Sequence, residues 1–405
     1  MVEKTLGDVA TYINGRAFKP QEWETSGRPI IRIQNLTNST QECNRTTKQF
    51  EEKYRISDGD LLFAWSASLG AHIWHGEDGW LNQHIFKVIP NESIDKIYLY
   101  YYLLYVVDQL YAKTHGSGMV HITLKPFKST RIMLLELNEQ RRVVGKIESL
   151  FAKLDEAKEK AQAVVDSFET RKAAILHKAF TGELTAKWRE EHGVSIDNWK
   201  TTRFDSVAAI RSNLVDPAEY QSFPHIAPDN IEKKTGVLLE YHTIAEDGVT
   251  SGKHRFYSGQ ILYSKIRPYL SKAVVVDFDG LCSADMYPIE AYQNARCLWY
   301  YMLSDEFLLQ ASTAGSRSVL PKINQKELSA LTVHLPTNDR EQEEIARILD
   351  ELFDKEQQTK EAAEVVLDQI DLMKKSILAR AFRGELGTND PSEESAVELL
   401  KRTIL

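Results

Sequence analysis

A chain of 405 residues, 42% hydrophobic and 27% charged, has a globular composition and the length for two or three domains with real cores. Its longest apolar run, residues 97–107, is too short and too rich in tyrosine to span a membrane; with no signal-peptide pattern and only three widely spaced cysteines (Cys43, Cys282, Cys297), a cytoplasmic protein without a disulfide framework is expected. The net charge of −8 makes no case for nucleic acid, but it does not exclude DNA either: residues 339–405 hold 17 acidic against 10 basic residues, and the rest of the chain is nearly balanced.

Residues 1–138 read as a mixed α/β domain. Segments 29–36, 59–66 and 80–88 have the β-branched and aromatic content of strands bounded by turn residues. Residues 97–110 are more helical, the Gly-rich stretch 115–118 is a loop, and 131–135 is a closing strand. A long helix is expected over residues 139–186. Val143, Ile147, Leu150, Leu154, Ala157, Ala161, Val164 and Phe168 alternate at spacings of four and three, as a and d positions of a heptad do. Arg171 interrupts this seam before Ile175 resumes it. Residues 187–338 comprise a charged connector and a second globular domain of similar length to the first. Residues 339–387 form a second long helix with Ile345, Leu349, Leu352, Ala363, Val366, Ile370, Met373 and Ile377 in the same phase, Glu356 and Thr359 being polar soft spots. Residues 388–405 are a tail, a loop followed by a short amphipathic helix.

The helical stretches are copies. Residues 139–184 laid over 341–386 at a constant offset of 202 match at 18 of 46 positions, where chance gives about three. The globular segments share landmarks as well: residues 57–63 with 257–263, 101–104 with 300–303, and 115–117 with 314–316. The fold class is therefore α+β, two similar mixed α/β domains separated by two long helices that form an antiparallel coiled coil, as a pseudo-two-fold internal repeat. Each apolar seam must be buried, and each is expected to pair with its copy. Such a coil holds two similar domains apart like a ruler. A molecule of that symmetry can address two separated half-sites on duplex DNA, which is itself dyadic.

Catalytic constellations are missing from the sequence. Gly145-Lys146 and Gly252-Lys253 lack the rest of a phosphate-binding loop, and there is no Asn-Pro-Pro-aromatic tetrad for amino-methyl transfer. Asp229 with Glu232, Lys233 and Lys234 has the wrong spacing for a nuclease, and His72 and His75 lack further metal ligands nearby. Chemistry is expected from partners.

Taken together, the chain resembles the specificity subunit of type I DNA restriction–modification systems. The resemblance rests on Ala-Phe-x-Gly-Glu-Leu at 179–184 and 381–386, on Thr185-Ala-Lys-Trp-Arg189, on Glu-Gln at 139–140 and 341–342, and on residues 61–74 and 261–269. One departure is Leu135-Glu-Leu-Asn138, where the second copy keeps Leu335-Pro336. The resemblance implies two target recognition domains, each binding one half of an asymmetric, interrupted DNA site. It also implies that the helices dock two modification (methyltransferase) subunits, joined by ATP-dependent restriction subunits that cut DNA. S-adenosylmethionine, ATP and Mg²⁺ would bind those partners, and this chain would hold no cofactor or metal. The rival reading is a coiled-coil adaptor without DNA specificity. Base-edge chemistry selects Arg32, Gln34, Trp65, Ser66, His115, Ser117, His121 and Lys125 as candidate contacts in the first domain. Lys253, His254, Arg255, Lys265, Arg267, Ser316, Arg317, Lys322 and Asn324 are those of the second.

Overall fold

The structure, a computed structural model, describes residues 2–37, 41–112, 121–314 and 321–388. Five helices organise it: α1 (Lys96–Ala112), α2 (Leu137–Asp166), α3 (Phe168–Phe180), α4 (Ala295–Met302) and α5 (Asp339–Phe382). The chain forms two compact units, Met1–Ala161 with Val365–Leu405, and Gln162–Glu364. The division cuts both long helical stretches instead of falling where helix meets domain. Each stretch begins in one unit and ends in the other.

In the first unit the strands are β1 (Val2–Thr5), β2 (Ala10–Asn14), β3 (Arg28–Ile31), β4 (Asn44–Thr46), β5 (Arg55–Ile56), β6 (Leu61–Ala64), β7 (Gly70–Ile73), β8 (Gly79–Leu81), β9 (Ile85–Pro90) and β10 (Arg131–Leu134). They make a β2-β9-β6-β7 sheet, a β4-β3-β8-β5 sheet and a β1-β10 pair. Strand β6 is buried on both faces because it lies between two cores. Leu61 and Phe63 join the core around α1, whereas Leu62 points the other way, to Ile31, Ile56, Leu81 and Ile85.

Two of the expected strands are shorter than their composition suggested. The chain leaves β3 at Arg32 and turns into a helical segment, Ile33–Thr37, because the Asn35 side chain accepts the Arg32 N–H at 3.0 Å. Residues 80–88 are split between two sheets, β8 in one and β9 in the other. His84 makes the crossing, with φ +74° in the left-handed region.

The second unit repeats this topology. Its strands are β11 (Trp199–Arg203), β12 (Ala208–Ile210), β13 (Leu214–Val215), β14 (Pro224–Ile226), β15 (His242–Thr243), β16 (Lys253–Phe256), β17 (Ile261–Ser264), β18 (Ala273–Val275), β19 (Gly280–Cys282), β20 (Met286–Ala291) and β21 (Thr332–Pro336). The sheets run β12-β20-β17-β18 and β13-β16-β19-β14-β15, beside a β11-β21 pair. Strand for strand this is the first domain again, with β13 added at one edge. Even the parallel pairs correspond, β3 with β8 and β14 with β19. Strand β17 also sits between two cores, Ile261 and Tyr263 facing one and Leu262 the other.

The repeated helix endings are core pieces. In the second unit Leu176, Ala179 and Phe180 join the main core, Phe180 meeting Tyr301 of α4 edge-on at 5.0 Å. In the first, Leu378 and Ala381 do the same, and Phe382 packs on Tyr98, Tyr102 and Tyr105 of α1. The helix beginnings are fixed by the Glu-Gln pairs. Gln140 donates to the carbonyls of Ser93 and Leu135 and accepts the Asp95 N–H; Gln342 donates to the Pro336 carbonyl and accepts the Asn294 N–H. Asp95 and Asn294 open α1 and α4, so each glutamine ties a long helix to the helix of its own domain.

The helices pair antiparallel. In the first unit Asp155 bonds Lys374, and Lys158 bonds Asp371 at 3.3 Å. In the second, Arg171 meets Glu356 at 2.7 Å, and Lys360 lies over the Phe168 ring. Partner numbers fall in one helix as they rise in the other. The two polar interruptions of the heptad, Arg171 and Glu356, are thus partners of each other.

The first stretch is not one unbroken helix, as its periodicity predicts, but is interrupted at Ser167. The Ser167 hydroxyl donates to the Ala163 carbonyl at 2.6 Å, and the Arg171 guanidinium to that of Val164 at 3.3 Å. The Ala163 carbonyl thus accepts the Ser167 hydroxyl as well as the Ser167 N–H (3.1 Å), and back-bonding of this kind weakens a helix locally.

Candidate nucleic-acid interface

The chain leaving β6 and β17 builds the same corner in each domain. In the first, Trp65 donates its N–H to the His84 carbonyl (2.9 Å), Ile122 donates to the Trp65 carbonyl (3.0 Å), and Ser66 bridges His121. In the second, Lys265 donates to the Asp285 carbonyl (3.0 Å), Ile323 donates to that of Lys265 (2.9 Å), and Ile266 bridges Lys322. Ala67 and Arg267 both follow in the left-handed region, at φ +60° and +48°. The backbone is the same, and the side chains that it displays are different.

At the first corner the Trp65 ring stacks on Phe86 at 5.7 Å, and its Nε1 donates to Asn14 Oδ1 at 2.9 Å. The His84 ring leans on that indole at 4.9 Å. Ser66 is buried, and His121 is exposed. At the second corner Asp285 receives Lys322 at 3.2 Å and Lys265 at 3.9 Å, while Lys265 also donates to the Ala284 carbonyl. Arg267 is exposed, and no carboxylate among the described residues pairs with it. Sequence reasoning found six of these residues (Trp65, Ser66, His121, Lys265, Arg267 and Lys322) but missed His84 and Asp285. Only the handover from β8 to β9, and from β19 to β20, brings them to the corner.

Other candidates lie apart from the corners or serve the fold. Lys125 is exposed on a short helix, Leu124–Lys128. Arg32 is half-buried over the Trp23 ring at 5.7 Å, and Gln34 is half-buried in the segment after it. Lys253 is buried, with Nζ on the Ser251 carbonyl (3.0 Å) and hydroxyl (2.7 Å), and burial lowers its pKa. His254 is buried too; burial, with the Lys265 charge adding to it, lowers its pKa and favours the neutral ring. Asn324 caps the helix Gln325–Ala330 by accepting the Glu327 N–H at 2.9 Å. His115, Ser117, Ser316 and Arg317 lie outside the described residues.

Arg255 differs from all of these. Its guanidinium lies between the rings of Tyr257 (4.8 Å), Tyr220 (5.4 Å) and Phe223 (5.9 Å), with no carboxylate partner among the described residues. The matching residue of β5, Arg55, is neutralised by Asp78 and Glu52. The second domain therefore keeps a cation where the first cancels one.

Among the described residues no cluster of three His, Cys, Asp or Glu side chains could hold a metal ion, and no helix is long and apolar enough to cross a membrane.

Comparison with known proteins agrees with this architecture. The family model for the type I restriction modification DNA specificity domain matches residues 1–165 and again 196–366. The chain is 38% identical over 320 residues to the type I restriction enzyme EcoDI specificity subunit of Escherichia coli, covering 74% of this chain and 72% of that one. It is 26% identical over 410 residues to the EcoBI specificity subunit of the same organism, covering 94% and 85%. Two solved structures share its fold. One comes from work on complex assembly and conformational transition of the type I restriction–modification system (TM-score 0.71, 18% identity, covering 95% of this chain and 98% of that chain). The other is the HsdS subunit of Thermoanaerobacter tengcongensis (TM-score 0.57, 17% identity, covering 95% and 97%). With two matched domains on a duplicated scaffold, the chain belongs to the type I restriction–modification DNA specificity family.

Proposed function

We propose that the chain is the DNA-binding, non-catalytic specificity subunit of a type I restriction–modification complex in the cytoplasm. Residues 1–138 and 187–338 are its target recognition domains. The observation that carries this reading is the duplicated corner. One backbone frame presents Trp65, Ser66, His84 and His121 in one domain and Lys265, Ile266, Asp285 and Lys322 in the other. Equal frames with unequal side chains suit a split, asymmetric site read as two different half-sites. Arg255, Arg267, Lys322, Lys265, His121 and Lys125 are the proposed contacts, with phosphates holding the register and base edges giving the sequence. The coiled coil sets the gap between half-sites. The helices scaffold two methyltransferase subunits and the restriction subunits, and S-adenosylmethionine, ATP and Mg²⁺ bind to those partners. The test is selection from a random duplex library, with and without the methyltransferase. A split motif of fixed gap is the expected product. No enrichment even with the methyltransferase present would leave only a protein adaptor.

A further inference from the structure

The duplication extends to a site that one unit fills and the other leaves open. In the second unit Arg296, two residues into α4 from Asn294, binds Asp350 of α5 at 2.6 and 2.7 Å. Its guanidinium lies over the rings of Trp299 (5.2 Å) and Tyr300 (5.6 Å). The Tyr300 hydroxyl donates to the same carboxylate, and its ring packs on Phe353 at 5.4 Å. An arginine thus sits in a seat of two aromatic rings and one carboxylate.

The first unit has the seat without the arginine. Asp95 and Asn294 are equivalent, since each donates its N–H to the repeated glutamine. Counting from them, Tyr100 stands for Trp299, Tyr101 for Tyr300, and Ile97 for Arg296. At the repeat offset of 202, Glu148 stands for Asp350 and Phe151 for Phe353. Tyr101 packs on Phe151 at 5.6 Å and beside Tyr100 at 5.1 Å, as their counterparts do. A cavity of about 940 Å³ opens there, lined by Tyr100, Tyr101, Glu148 and Phe151. Its other charges are answered: Lys374 bonds Asp155, and Lys375 bonds Asp108 at 3.1 Å. Glu148 is exposed and has no ion-pair or hydrogen-bond partner among the described residues.

We propose that this cavity is the seat of an arginine presented by a partner protein, the modification subunit. A flat guanidinium can lie on tyrosine rings while donating to a carboxylate, which a lysine ammonium does less well. The proposal rests on the specificity-subunit reading and adds to it a docking residue on one domain only. The second domain occupies its own seat with Arg296, so the two ends of the chain offer a partner unequal surfaces.

The test measures binding of the full chain to the modification subunit by calorimetry, with thermal melts of every variant. Glu148→Gln, on an exposed helix face, is expected to weaken binding about tenfold, the scale of one lost charged contact. Ile97→Arg supplies the missing arginine in cis and is expected to weaken binding at least as much, while Ile97→Leu leaves it unchanged. Wild-type affinity in both Glu148→Gln and Ile97→Arg would overturn the proposal and leave the specificity-subunit reading standing. No binding by the wild-type chain would remove both. If a chain ending at Thr388 binds more tightly and ignores Glu148→Gln, the occupant is the chain's own Lys401 or Arg402, and the proposal fails.

Discussion

A fully buried carboxylate needs its lone pairs answered, and Glu341 has that in full. It accepts from Arg189 (2.6 Å), Thr185 (2.9 Å), Asn198 (2.9 Å) and Trp199 (3.0 Å). Burial pushes its pKa up, but the bonds from Asn198, Arg189, Trp199 and Thr185 outweigh that and hold it below the ordinary 4.5. Glu139, its copy, relies instead on Arg142 of its own helix and on Thr388. Replacing Arg189 by Met leaves the buried Glu341 without its counter-charge, at a cost of about 3–5 kcal/mol, measurable by urea unfolding. The depressed pKa fixes the sign of the pH effect. The stabilisation is complete above pH 4.5 and is lost as pH falls through the lower folded value, so the margin of wild type over Glu341→Gln shrinks in acid. The Glu-Gln pairs were visible in the sequence as repeated letters. Their roles were not, because the partners lie more than 140 residues away for Glu341. The surface shows the opposite gap: Lys253 and Arg267 look alike in sequence, yet one is buried on Ser251 and the other is exposed. Arg267→Ala is expected to weaken DNA binding, and if it contacts phosphate the salt slope falls by about one. Lys253→Met should leave DNA binding intact. Equal losses in both variants would refute the proposed contact set.

At the scale of elements, heptad spacing gave the helices and their pairing, since a and d positions can be read by counting. The strands were less legible. Residues 80–88 read as one strand, and nothing in their composition shows that His84 carries the chain between sheets. Arg171 and Glu356 were visible as breaks in two seams, but only their contact explains why the seam tolerates both. At the repeat offset their counterparts are Met373 and Leu154, so the first unit has apolar residues, Met373 half exposed, at the positions where the second has an ion pair. Either single change, Arg171→Met or Glu356→Leu, strands a charge and is expected to destabilise. The double variant copies those apolar residues and should recover that loss or exceed it by about 1–4 kcal/mol. A denaturant double-mutant cycle decides, and additive losses would mean that the two side chains do not act as a pair. The pair also directs partner choice. If two copies of residues 1–190 associate, each Arg171 faces a Leu154 and loses its carboxylate. Self-association of that fragment should therefore tighten on Arg171→Met, as sedimentation can show.

The molecule as a whole uses one scaffold twice, and each helical stretch starts on one domain and ends in the core of the other unit. Phe151 and Lys374 in the first unit, and Phe353 and Lys172 in the second, are identical residues at the offset of 202, and both lysines lie over their rings, at 5.0 and 5.5 Å. Such contacts hold when both helices change length together, because the ends that they fix stay intact. The coil can then be lengthened as a unit. Inserting one heptad after Ala161 and another after Leu367, at facing positions, preserves the a and d phase on both helices. Each insertion adds about 10.5 Å of helix, close to three base pairs of duplex at about 3.4 Å each. Both half-sites should be kept, because neither domain changes, and the gap between them should grow by about three base pairs in the selected motif. A single insertion in one helix should instead break the seam and lose binding to both half-sites at once. An unchanged gap in the doubly extended chain would show that spacing is set elsewhere, by DNA bending or by the methyltransferase subunits, and that the coil joins the domains without measuring the distance.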